Sequence, residues 1–185
     1  MNWKDIGYLD KGNDRQRQAF RCLTKLNLFA DLAHYCPLLV GTIPIDIDIA
    51  ESDLDILCEV HDFSRFAEEL NNLYGKHSGF RIQNDQIRQG PVTVCQFYYE
   101  GFEIELFGQS RPVEKQNGYL HMLIESRLLA LAGPQAREDI RKLKKLGYKT
   151  EPAFGMFFHL SGDPYAELLT LGELSDAELA KKLRL

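Results

Sequence analysis

The chain has 185 residues, of which 44% are hydrophobic, 11% aromatic and 26% charged, a composition that excludes a disordered or collagen-like polymer. At one domain's length it buries about 70% of its unfolded surface, so neither disulfides nor a structural metal is needed for folding. Lys+Arg 22 against Asp+Glu 27 leaves a net charge of −5, which argues against a long nucleic acid as partner, because that grip depends on clustered cations facing phosphates. Cys22, Cys36, Cys58 and Cys95 stand singly with no C-x-x-C and read as buried, reduced thiols of a cytoplasmic protein. The polar opening Met-Asn-Trp-Lys-Asp is unlike a signal peptide, and no apolar run nears the ~20 residues of a membrane span, so no membrane association is expected.

In chain order, residues 14–35 carry apolar positions at helix spacing (Phe20, Leu23, Leu28, Leu32) with a break near Asn27. Leu38-Leu39-Val40, ending at Gly41, and Leu54 to Val60 are apolar runs of strand length. Asp62 is placed to cap a helix carrying Phe63, Phe66, Ala67, Leu70 and Leu73. Three strands follow, around Phe80-Arg81-Ile82, Val92 to Tyr99 and Phe102 to Phe107, the last two joined as a hairpin by Glu100-Gly101. From Gln116 the pattern is helical: Leu120, Leu123, Ile124, Leu128 and Leu131 share one face, Gly133-Pro134 punctuates, and Ile140, Leu143 and Leu146 continue to Gly147. Shorter helices are expected near Ala153–Leu160, after Asp163-Pro164, and after Ser175 with Glu178 in a capping-box pattern. The reading is an α+β, mixed α/β fold: a core over residues 1–109 and a helical cap subdomain over 110–185 packed on it, with the site between them.

The informative stretch is residues 39–59. Asp53 and Asp55 stand two apart at the start of an apolar strand, where side chains at i and i+2 leave the same face. Paired carboxylates suit Mg²⁺, which takes one or two protein carboxylates and completes its shell with water and substrate phosphates. Two such ions ~3.5–4 Å apart serve an in-line phosphoryl displacement. Gly41 lets backbone N–H groups approach phosphate oxygens, and the Thr42 hydroxyl can add a hydrogen bond. Asp46 and Asp48 form a second D-x-D, but the interval from Gly41 is short and no uninterrupted strand follows, so they are not the principal ligands. Asn117, His121 and Glu125 line a helical stripe facing away from the leucines, either a polar surface with a His–Glu pair or a set of acceptor-binding residues. Arg137, Arg141, Lys144 and Lys145 read as a solvated basic face.

These residues resemble the polymerase β-like nucleotidyltransferase superfamily, whose pattern is a strand, Gly-Ser, a loop, and Asp-hydrophobic-Asp on the next strand. Gly41-Thr42 stands for Gly-Ser and Ser52-Asp53-Leu54-Asp55-Ile56 for the second segment, with Asp53 twelve positions after Gly41. The resemblance implies a third carboxylate on a later strand. Glu103 and Glu105 in Phe102-Glu-Ile-Glu-Leu-Phe107 offer it, and Glu105 is preferred because it lies nearer the strand's end. E-L-F-G-Q and G-T-I-P-I-D-I-D also resemble an uncharacterised bacterial family of small single-domain members. The loop departs from the superfamily: Ile43-Pro44-Ile45-Asp46-Ile47-Asp48 replaces Ala-Arg-Gly, exchanging an arginine for two acids.

The resemblance implies a metal-dependent transfer of a nucleoside monophosphate from an NTP to a hydroxyl of a small molecule or protein, with release of pyrophosphate. Asp53, Asp55 and Glu105 would be catalytic and hold two Mg²⁺ ions, and Gly41, Thr42 and Ser52 would contact the nucleotide. The alternative is a non-catalytic nucleotide-binding or protein-interaction module on the same fold.

Overall fold

A computed structural model describes residues 2–184. By internal contacts the chain divides into two compact units: the segments up to Pro44 and Ser52–Gln116 form one, and Ile45–Glu51 with the chain from Asn117 form the other.

The first unit is built on a five-stranded mixed sheet in the order β1-β2-β5-β4-β3. Its strands are β1 (Leu38–Val40), β2 (Leu54–Glu59), β3 (Arg81–Ile87), β4 (Gly90–Tyr99) and β5 (Phe102–Gln109). β2 and β5 run parallel, and the other neighbours are antiparallel. The β4–β5 hairpin closes at Glu100-Gly101, where both residues have positive φ, +47° and +81°, the geometry of a two-residue turn whose twist matches its strands. β3 runs further than the sequence pattern foretells. Gln83, Asn84, Asp85 and Gln86 are polar because this edge strand is exposed along most of its length, which removes the alternation that burial of one face would impose.

One face of the sheet is apolar. Leu54, Ile56 and Cys58 of β2, Cys95 and Phe97 of β4, and Ile104 and Leu106 of β5 are all buried there. α1 (Asp14–Leu26) and α3 (Phe63–Tyr74) contribute Ala19, Leu23, Phe66, Leu70 and Tyr74 to the same core, and Tyr74 stacks on Phe97 with ring centroids 4.9 Å apart. Each fully buried side chain of this size stabilises the fold by about 1.5–3 kcal/mol. The break at Asn27 is a left-handed residue, φ +59°, followed by the single turn α2 (Leu28–Asp31). Asp62 caps α3 by accepting a hydrogen bond from the Arg65 amide at 3.0 Å. A 3-10 segment at Ile6–Lys11, absent from the sequence reading, places Leu9 in the core.

The helical unit holds α4 (Asn117–Ala132), α5 (Pro134–Lys145), α6 (Thr150–Phe157), α7 (Pro164–Gly172) and α8 (Asp176–Leu183). The expected capping box at Ser175 and Glu178 is present. α4 corrects the expected surface stripe: His121 and Glu125 are buried together with Met122, Ile124, Leu128 and Leu129. A helix enclosed by neighbours on several sides must bury some polar positions, and these survive because partners from other helices meet them. The basic face on α5 is likewise partly interior. Lys144 is buried, and Arg141 lies against the loop residue Asp46. No helix among the described residues is long and apolar enough to cross a membrane. Of the four free cysteines, Cys22, Cys58 and Cys95 are buried but Cys36 is exposed, because it sits in a left-handed turn, φ +51°, before β1.

Candidate functional site

Alternation along the strands sends every second residue to the face opposite the apolar core. Register then aligns a row across the sheet: Val40 faces Asp55, Asp55 faces Glu105, Glu105 faces Gln96, and Gln96 faces Arg81. The structure thus brings together Asp55 and Glu105, two half-buried carboxylates on adjacent parallel strands. Asp53, half-buried one residue before β2, stands close enough for its charge to act on Glu105. Burial raises the Glu105 carboxyl above its ordinary value, and the negative charge of Asp53 pushes the same way; a hydrogen bond from Gln96 opposes them. Glu103 is engaged elsewhere. It accepts from Arg81 Nη2 at 3.0 Å and from the Tyr98 hydroxyl at 3.2 Å.

Gly41 follows β1 with φ +83°, a conformation that costs other residues about 1–2 kcal/mol. Its bare Cα also makes room for Asp55: a Cβ built there would come within 2.2 Å of Asp55 Oδ2. Thr42 and Ser52 meet directly, with Thr42 Oγ1 donating to Ser52 Oγ at 3.2 Å. The first turn of α1 holds the same segments. Gln16 is buried, and its Nε2 donates to the carbonyls of Ile43 at 2.9 Å and Pro44 at 3.2 Å. Arg15 lies 4.0 Å over the Phe102 ring and donates to the Ser52 carbonyl at 3.4 Å.

The sequence reading missed Gln16, Arg15, Gln96 and Arg81. Asn13 and Gln16 form a capping box in the structure, so the N-x-x-Q spacing carried a signal for the helix start. The second task of Gln16, at Ile43 and Pro44, depends on a tertiary contact. Gln96 could have been found: the two-residue turn at Glu100-Gly101 pairs it with Glu105 along the expected hairpin. One acid of the second D-x-D is accounted for: Asp46, φ +60°, gives its carboxylate and its carbonyl to Arg141, the carbonyl at 2.6 Å, while Ile43, Pro44, Ile45 and Ile47 are buried.

Among the described residues, no three or more His, Cys, Asp and Glu side chains form a group that could hold a metal ion by themselves, Asp53, Asp55 and Glu105 included. The donor set at Asp53, Asp55 and Glu105 is anionic and all-oxygen. That chemistry fits Mg²⁺ held jointly with water and substrate phosphates, and does not fit a soft ion or one caged by protein alone.

Away from this site, the helical unit holds a buried ionisable cluster. His121 Nδ1 stands 3.4 Å from Glu151 Oε1, and Nε2 stands 3.0 Å from the Tyr165 carbonyl. Both ring nitrogens face acceptors, as suits an imidazolium. Burial disfavours that charge, but the bonds to Glu151 and Tyr165 outweigh it and raise the His121 pKa. Glu125 is pushed up to about 8 by burial and by the charge of Glu151, against His121 and Lys144.

Solved structures share this fold. The Cid1 poly(U) polymerase with MgGTP bound matches with a TM-score of 0.54 at 11% identity, over 84% of this chain and 49% of its own. A cytoplasmic RNA terminal U-transferase matches with a TM-score of 0.51 at 13% identity, over 84% and 46%. Cid1 in complex with the UTP analogue UMPNPP matches with 0.50 at 14%, again over 84% and 46%. The chain spans about half the length of these structures, and at such identities the likeness shows a nucleotidyltransferase fold. No curated protein matches the chain. Residues 21–171, which include Gly41 to Asp55 and Glu105, match the model of a family described as Domain of unknown function (DUF4269), and the chain belongs to that family.

Proposed function

We propose that this protein is a metal-dependent nucleotidyltransferase that moves a nucleoside monophosphate from an NTP to a hydroxyl of a small molecule or protein and releases pyrophosphate. The observation that carries the reading is the register pairing of Asp55 with Glu105, with Asp53 acting on the same carboxylate and Gly41 beneath Asp55. The nucleotidyltransferase fold supports it, as do neighbours solved with MgGTP or a UTP analogue.

In this reading Asp53, Asp55 and Glu105 are the residues that would hold two Mg²⁺ ions. Bound there, Mg²⁺ supplies charge neutralisation at the phosphates and polarisation of the acceptor hydroxyl. The chain's own residues do the rest. Gly41, Thr42 and Ser52 bind and orient the phosphates, and Glu105 takes the acceptor's proton. The net charge of −5 supports a small or protein acceptor over a long nucleic acid. Single cysteines without a metal pattern support a cytoplasmic setting. E-L-F-G-Q and G-T-I-P-I-D-I-D support kinship with small single-domain bacterial members.

Calorimetry with Mg²⁺ and each NTP on the wild type and Asp53→Asn tests the proposal. Metal-dependent nucleotide binding lost in Asp53→Asn is expected, and a wild type that binds no nucleotide overturns it. Binding without pyrophosphate release, across hydroxyl acceptors that include an RNA 3′ end, would instead favour a non-catalytic nucleotide-binding module.

A further inference from the structure

The row across the sheet extends beyond the two carboxylates, and its outer members are bonded in series. Gln96 Nε2 donates to Glu105 Oε2 at 2.6 Å, and Gln96 Oε1 accepts from Arg81 Nε at 2.6 Å. Arg81 has donors only. Its presence therefore fixes which end of the Gln96 amide faces it, and the NH₂ end must face Glu105. β5 lies between β2 and β4, so this bond turns Oε2 towards β4, on the side away from Asp55, and leaves Oε1 as the oxygen on offer to a ligand. The same guanidinium binds Glu103 through Nη2 at 3.0 Å, which holds the second carboxylate of β5 in a separate pair.

We propose that Arg81 and Gln96 are positioning residues, in which the Arg81 fork locks the Gln96 amide and the locked amide orients Glu105 for its ligand. This rests on the reading of Asp53, Asp55 and Glu105 as a metal–nucleotide site. Neither residue touches the reacting groups. Arg81 acts through Gln96, and Gln96 acts through Glu105. Partners of this kind typically change metal affinity or activity by about 10–100-fold. Lysine does not replace Arg81, because a single ammonium lacks the planar fork that bonds Gln96 and Glu103 together.

Two measurements test the assignment. In ¹⁵N-resolved NMR of the wild type, the Gln96 side-chain amide shows two well-separated, slowly exchanging proton signals, and in Arg81→Met these move towards the position of a free amide. Arg81 lies on the exposed edge strand, so Arg81→Met leaves the core intact. Calorimetric titration with Mn²⁺ and a non-hydrolysable ATP analogue then gives a loss of roughly 10-fold in Gln96→Met and in Arg81→Met. The double variant is no weaker than Gln96→Met, because both act along one path, and Arg81→Lys does not restore affinity. Additive losses overturn the proposal, as does a Gln96 amide that is free in the wild type beside normal ligand uptake. A tethered amide in a wild type that takes up no Mn²⁺–nucleotide overturns the nucleotidyl-transfer reading and the positioning role with it.

Discussion

Gly41→Ala tests the geometry of the candidate site most directly. The substitution introduces one methyl group at φ +83°, where an L-residue costs about 1–2 kcal/mol. The new Cβ would stand 2.2 Å from Asp55 Oδ2, 3.2 Å from its Cγ and 3.5 Å from its Cβ, whereas ordinary contact begins at 3.4 Å. Oδ2 is therefore more than 1 Å too close, while the Cβ, held by the strand, has no need to move. Relief comes by turning the carboxylate about the Cα–Cβ bond, out of line with Glu105, at a further cost of about 0.5–1.5 kcal/mol if it leaves its rotamer well. A total of about 1.5–3.5 kcal/mol lowers Tm by roughly 3–14 °C in a chain of this size. Gly101→Ala is the matched control: its φ is +81° and nothing lies within 4 Å of the added Cβ, so it loses only the backbone cost of about 1–2 kcal/mol. Thermal unfolding and calorimetry with Mn²⁺ and an ATP analogue are run on both variants. Gly41→Ala should lose more stability than Gly101→Ala and lose ligand uptake, which Gly101→Ala keeps. Equal stability losses with equal uptake would refute the claim that Asp55 is seated against Gly41.

The buried cluster of the helical unit predicts a pH dependence. Between the ordinary glutamate value of 4.5 and about 8, folded Glu125 keeps a proton that the unfolded chain releases, so stability falls as pH rises through that window. His121 acts in the same direction, since its raised pKa gives stability that is full below 6.5 and lost as pH rises through the folded value. Glu151, lowered by His121, acts only below 4.5. Unfolding followed by helical circular dichroism should show a lower Tm at pH 9 than at pH 6, with a flatter profile in Glu125→Gln, and a level wild-type profile would contradict the account. Arg141→Ala removes charge-assisted hydrogen bonds to Asp46, costing about 1–3 kcal/mol. Amide exchange across Ile45–Glu51 should then accelerate, and unchanged exchange there would show that Arg141 does not hold the loop. In the native protein one thiol, Cys36, should react rapidly with a disulfide reagent. Cys22, pushed up to about 11 by burial, Cys95, pushed up to about 12, and Cys58, raised further still, should react only on unfolding. More than one fast thiol would refute that assignment.

Much of the molecule was legible in its residue order because local rules govern those features. The break at Asn27, the Asp62 cap, the Glu100-Gly101 turn and the Ser175 box each depend on neighbours within four residues. Strand alternation was enough to place Asp55 and Glu105 each on the polar side of its own strand. Period and capping could not reveal that β2 lies beside β5, or in what register, since that pairing joins residues fifty positions apart. It set Glu105 opposite Asp55, while the Glu100-Gly101 hairpin already set Gln96 opposite Glu105 and the edge strand β3 brought Arg81 to Gln96 and Glu103. Burial followed the same division. His121, Glu125 and Lys144 looked like surface residues by polarity, and Asp46 belonged to a second D-x-D set aside as the principal metal ligands. In the folded chain the charge of His121 is met by Glu151 and the Tyr165 carbonyl and that of Asp46 by Arg141, while buried Glu125 keeps its proton, a balance of desolvation against pairing that is settled only when the helices pack.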